Sequence, residues 1–168
     1  MPYSTVVKTK RDGTLKFEDA TTPTPLSLTV AYEAGDFNLS IPGASVVANL
    51  DRGEFGATPS LRLSDDQAMT ATFTAYLRDF SDGSYATLEE ILLQSGDVGT
   101  NWVSTLGSDA EVFTMDLTWT VEGTDHGDAS DHVLKLPFCH VTGSLSEGDP
   151  DQISISITSY AVLPSTIT

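Results

Sequence analysis

Asp125, His126, Asp128, Asp131 and His132 crowd into the nine residues TDHGDASDH (124–132), where metal or acid–base chemistry would be sought first. A calcium loop needs oxygen ligands at positions 1, 3 and 5, with Glu at 12. Counted from Asp125, positions 3, 5 and 12 hold Gly127, Ala129 and Leu136, so that template fails. Zinc tolerates the spacing of His126 and His132 but needs further ligands; Asp128 is one candidate, and the chain has no Cys pair. Asp, Gly and Ser also make turns through local hydrogen bonds. The segment is therefore expected to be a polar loop tip, with no metal and no cofactor. Cys139 and His140 suggest a nucleophile and its base, but neighbours on a strand point to opposite faces. A buried structural cysteine is the expectation. Asp65-Asp66 and Glu89-Glu90 sit where turns and a helix start want carboxylates. No nucleophile elbow, phosphate-cradling loop or basic aromatic patch is present, so no enzyme is expected.

The elements that would carry these residues alternate with period two, the mark of half-buried antiparallel strands. Leu26, Leu28 and Val30 form one such run, and Phe37, Leu39 and Ile41 another. Met69, Ala71, Phe73, Ala75 and Leu77 line one face of a longer run. Phe113, Met115, Leu117, Trp119 and Val121 line the clearest one. Pro137 marks an edge or a bulge in the strand that restarts at His132. Ile153, Ile155 and Ile157 alternate with Ser and Thr in a terminal strand (151–163). Arg11-Asp12-Gly13 reads as the turn of a basic N-terminal hairpin within residues 1–19. The pattern weakens over 42–60, which reads as a long loop in which Ser45–Ala48 is at most a short strand. One helix is expected at about 87–96. Thr87 and Glu90 fit a capping box, and Gly96 is placed to end the helix in a left-handed conformation. The sum is a single all-β domain, 1–168, an antiparallel β-sandwich or barrel with one short flanking α-helix.

Charge limits the partners. The net charge is −16, from 8 basic and 24 acidic residues. Nucleic-acid phosphate and anionic membrane should both be repelled. Residues 1–16 hold Lys8, Lys10, Arg11 and Lys16 against Asp12, a net +3; the remainder is −19. Such asymmetry suits head-to-tail contact between copies. No apolar run approaches the roughly 20 residues that span a bilayer, and the N-terminus lacks the apolar stretch of a signal peptide. Synthesis in a reducing host cytoplasm is expected. Asp51, Arg52 and Phe55 lie in the 42–60 segment, and Phe55 either docks on a partner or folds back on its own domain. The terminal strand, with Ile153, Ile155, Ile157 and Tyr160, either sits inside its own sheet or pairs across a subunit boundary. With Lys8, Lys10, Arg11 and Lys16, these are the candidate subunit-interface residues.

Strand order, the capped helix at 87–96, the 42–60 segment, TWTVEGTDHGDASDHVLKLPFCHVTG and the ending SEGDPDQISISITSYAV together resemble phage tail tube proteins (the major tail protein family). The resemblance implies a β-sandwich that assembles into hexameric rings, which stack into a hollow tail tube in the virion. It implies that the long loop contacts the next ring and that sheets of neighbouring subunits join to line the lumen. It also implies tape measure and tail terminator proteins as partners, with DNA passing through unbound. The acidic composition leads one to expect an acidic conduit. Two other readings stand beside this one. The first is a head–tail joining or decoration protein. The second is a carbohydrate- or ligand-binding sandwich using Trp102, Trp119 and the 124–132 turn.

Overall fold

A computed structural model describes residues 13–33, 36–50, 59–63, 67–77, 86–123, 129–161 and 166–167. The strands are β1 (Gly13–Glu18), β2 (Ser27–Val30), β3 (Asn38–Ser40), β4 (Val46–Leu50), β5 (Pro59–Leu63) and β6 (Met69–Tyr76). Two short helices follow, α1 (Leu88–Leu93) and α2 (Gly96–Asn101). The chain then forms β7 (Met115–Val121), β8 (His132–Ser146), β9 (Gln152–Ser159) and β10 (Thr166–Ile167). All pairings are antiparallel, as expected. The main sheet has the order β2-β1-β7-β8-β9-β6-β3, with β10 also on β8, while β4 and β5 pair with each other in a separate sheet.

The main sheet is sharply curved. Phe17 of β1 and Phe73 of β6 lie four strand positions apart, yet their ring centroids are 6.4 Å apart. In a flat sheet with strands about 4.8 Å apart, the separation would be about 19 Å. The two ends therefore face one another across a common core, the expected sandwich. The alternating residues fill it: Leu15 and Phe17, Met69, Ala71 and Phe73, Met115 and Leu117, and Ile153, Ile155 and Ile157 are all buried. Burying each of the larger side chains is worth about 1.5–3 kcal/mol. β8 joins the halves, pairing with β7 from His132 to Cys139 and with β9 from Cys139 to Ser146. The register shifts at Pro137-Phe138, where Phe138 takes a φ of 53° and its N–H donates to Asp116 Oδ1 at 3.3 Å. Pro137 thus sits at a bulge, one of the two places expected for it.

The helical region differs from the expectation. One helix over 87–96 becomes two, because the left-handed residue that ends α1 is Gln94 (φ 50°) rather than Gly96. The Thr87–Glu90 capping box is present. One Glu90 oxygen accepts the Thr87 N–H at 3.2 Å, and the other accepts the Asp97 N–H at 3.3 Å in the first turn of α2. A single carboxylate thus serves both helix starts. Gly96 (φ 58°) lies against that carboxylate, which any Cβ would overlap.

Asp19 holds the turn after β1. It is buried, and its carboxylate accepts from the N–H groups of Thr21 (3.1 Å), Leu26 (2.6 Å) and Val103 (2.9 Å) and from the Thr21 hydroxyl. A buried carboxylate is tolerated when its lone pairs are filled this way. This clamp ties β1 to the segment between α2 and β7.

Candidate assembly surfaces

The nine-residue polar stretch is a strand connection. Val121 at the end of β7 pairs with His132 at the start of β8. Asp131 accepts the Gly123 N–H at 3.0 Å, a local turn bond of the expected kind. Asp125, His126 and Asp128 lie outside the described residues. Among the described residues, no three His, Cys, Asp or Glu side chains come together to hold a metal. Cys139 and His140 point to opposite faces: Cys139 is fully buried and His140 half-buried. The Cys139 Sγ donates to the Leu136 carbonyl at 3.2 Å. Burial pushes this thiol up to about 12, so it stays protonated and unreactive at neutral pH.

Neither tryptophan offers an open platform for a sugar. Trp102 is in the core. Trp119 stacks on Phe37 at 5.3 Å, and its Nε1 is buried with no acceptor among the described residues.

The structure redistributes the candidate interface residues. Lys8, Lys10, Arg11, Asp51, Arg52 and Phe55 lie outside the described residues. Lys16 is on the outer face of β1, where it pairs with Glu18 of its own strand at 2.8 Å. From Leu15 to Glu18, β1 has β2 on one side and β7 on the other; the first strand of the expected N-terminal hairpin and Arg11-Asp12 of its turn lie outside the described residues. The terminal strand requires correction. β9 is flanked by β6 and β8 along its length, and Ile153, Ile155 and Ile157 face the core. It is an interior strand, the first of the two arrangements left open by its sequence. Tyr160 beyond it is 64% exposed.

Three surface features had weak or no sequence signals. The first is the arm. Residues 42–60, expected as a long loop, contain β4 and pair it with β5 in an antiparallel hairpin. Val46 and Leu63 face each other across it, 60% and 73% exposed, with Leu61 66% exposed on the same side. The adjacent valines Val46 and Val47 hid this hairpin, since a strand outside the core has no reason to alternate. The second is an open edge. From Thr142 to Ser146, β8 has β9 on one side and no strand on the other among the described residues. This stretch carries no charge, Pro or bulge, and α1 packs near it, with Leu92 of α1 close to Gly143. At the opposite side of the same four strands, β3 ends the sheet.

The third feature is the outer face of those four strands. Asn38, Thr72, Ser156 and Thr142 form one row across β3, β6, β9 and β8, with Ser40, Thr70, Thr158 and His140 beside it. Thr74, Ser154 and Ser144 form a third row, and Tyr76, Gln152 and Ser146 a fourth. None of these fourteen positions holds Asp, Glu, Lys or Arg. One carboxylate joins this face: Asp36, two residues before Asn38, lines a depression with Thr72, Thr74, Ser144, Ser154 and Ser156. The outer face of β1, β7 and the first half of β8 is the reverse. There Lys135 meets Asp116 at 2.9 Å and Glu18 at 3.9 Å.

No family model and no curated protein matches this chain. Among solved structures, it resembles the sheath/tube terminator of an extracellular contractile injection system (PVC), in the extended state. The TM-score is 0.50 and the identity 11%, covering 99% of this chain and 98% of that one. At this identity the likeness is one of fold, carried through almost the whole of both chains.

Proposed function

We propose that this chain is a structural subunit of a phage-tail-like tube, whose copies join into rings that stack around a channel for DNA. The observation that carries this reading is the β4–β5 arm. An isolated two-stranded hairpin is marginally stable in water, and apolar side chains exposed as Val46, Leu61 and Leu63 are demand a cover. A neighbouring copy supplies it, in the role that the tail-tube resemblance gives to the 42–60 segment. The edges of β8 and β3 that lack a strand partner among the described residues support the same reading. They lie on opposite sides of one four-stranded group, so the edge of one copy can continue the sheet of the next. Six subunits per ring, tape measure and terminator partners, and a place in the virion tail belong to this proposal.

The fold likeness favours a second reading, in which the chain forms a single terminating ring. Stacking separates the two. Electron microscopy of the purified full chain should show stacked rings or tubes, while a terminator stops at one ring. Leu61→Asp combined with Leu63→Asp should leave a folded chain that no longer assembles. A native chain that stays monomeric at high concentration, even with tail partners added, would sink both readings.

A further inference from the structure

We infer that the outer side of β2 and the groove beside it receive residues 5–10 of a neighbouring copy as an added, extended strand. The inference rests on the reading of the chain as a self-assembling subunit. It adds a contact that neither the β4–β5 arm nor the β8 and β3 edges supply.

Three observations carry it. The first is backbone geometry. β2 stands at the end of the main sheet, with β1 on one side and no strand on the other among the described residues. The Asp19 N–H donates to the Leu26 carbonyl, so residues 26, 28 and 30 turn their backbone groups to β1. Ser27 and Thr29 then turn theirs outward, each with one donor and one acceptor in the spacing that a further strand needs.

The second is a formed groove. A depression of about 480 Å³ is touched by every residue from Leu26 to Thr29. Neighbours on a strand point to opposite faces, so a depression that meets consecutive residues runs along the strand's edge. Its far wall is Ala86, Asp97 and Trp102. Asp19 fixes the width. Its carboxylate accepts the N–H of Leu26 on one wall and the N–H of Val103, next to Trp102, on the other. A groove held this way is ready for an extended segment before that segment arrives.

The third is charge. Asp97 is half-buried at the groove, bonded to the Asn101 amide at 2.6 Å and in no ion pair among the described residues. Copies of a chain at −16 repel one another, and the exception is the basic block that holds Lys8, Lys10 and Arg11. In an extended strand Val6 and Lys8 share a face. Val6 then meets the apolar surface of Leu28 and Trp102 while Lys8 reaches Asp97. A few backbone bonds and one ion pair hold a lone strand weakly. Repeated at every junction of a ring they act together, because a strand given by each copy to the next is a heterologous contact.

The test mixes the full chain with an isotopically heavy copy of itself and adds a carbodiimide, which joins an amine to a carboxylate in direct contact. Mass spectrometry should find Lys8 joined to Asp97 in light–heavy pairs. Rings that form without this junction overturn the inference and leave the tube reading standing. A chain that stays monomeric takes both. Junctions confined to light–light and heavy–heavy pairs place the segment in its own groove and overturn the exchange between copies. Ser27→Pro removes an outward N–H without touching the β1 ladder, and should abolish the junction at an unchanged melting temperature. A junction that survives it would mean that no strand is added. Lys8→Met and Asp97→Asn leave β2 as it is. Each should weaken association about tenfold, and the two together no more than either alone. Losses that multiply would mean that the two residues act apart, and would overturn the pairing.

Discussion

The two halves of the sandwich are alike inside and opposite outside. Inside, Leu15, Phe17 and Leu117 on one half meet Phe73, Ile155 and Ile157 on the other, and all are buried. Outside, the β1–β7 half carries Lys16, Glu18, Asp116 and Lys135 in ion pairs, and the β6–β9 half carries mainly hydroxyls and amides. β8 belongs to both, and its composition changes with its partner: Lys135 lies beside β7, while Thr142, Ser144 and Ser146 lie beside β9. Folding requires only that the inner faces be apolar. The outer faces were free to diverge, so their difference speaks to what each meets.

The equivalence of the inner faces is the strongest part of this comparison and the easiest to break. Ile155→Asp and Leu117→Asp each bury a carboxylate with no partner, at a cost of at least about 4 kcal/mol. Both chains should lose their cooperative thermal transition by circular dichroism. If either transition survives, that half is not a true core.

Cys139 stands where the halves meet, its backbone paired with Met115 on one side and Ser159 on the other. Its thiol is held protonated up to about 12 in the folded chain, against an ordinary value of 9.0. Between those values the unfolded chain releases a proton that the folded chain keeps. This contribution to stability is complete below pH 9.0 and is lost as pH rises toward 12, by up to about 1.4 kcal/mol per pH unit. Denaturant melts of the native chain and Cys139→Ala across that window should show a shallower alkaline decline in the variant. Equal slopes would mean that the joint admits water.

The smallest effects separate the outer faces. Lys135→Met should cost about 1 kcal/mol or less, with the loss shrinking as salt rises. Ser156→Ala should change stability by about 0.5 kcal/mol or less and show no salt dependence. Thermal melts at low and high salt measure both, and a salt-dependent Ser156→Ala would reveal an ion pair on the hydroxyl-bearing face.

Much of this fold was legible because alternation records one physical fact, that a strand has a wet side and a dry side. The runs at Met69–Leu77, at Phe113–Val121 and through the three isoleucines emerged as β6, β7 and β9, with Met69, Ala71, Phe73, Ala75, Met115, Leu117 and the isoleucines buried and Leu77, Phe113, Trp119 and Val121 half-buried. Alternation is silent about neighbours along the sheet. The pattern of Ile153, Ile155 and Ile157 is the same whether β9 is interior or at an edge, since only backbone groups decide that. The second helix was missed because GDVGTN has poor helix propensity and is set by the Glu90 carboxylate. Asp19 looked like one acid among many, and its donor from Val103 comes from a segment distant in sequence.

The sequence alone determined much of the apolar core, that the fold is all-β, and that no known metal or nucleophile template is met, because side-chain chemistry and spacing settle these locally. Only the tertiary structure decided which edges lack a strand partner among the described residues, that β4 pairs with β5 apart from the main sheet, and that hydroxyl-bearing positions from four strands share one face. Those depend on register and pairing between segments far apart in the chain, and no single stretch of sequence encodes its neighbour.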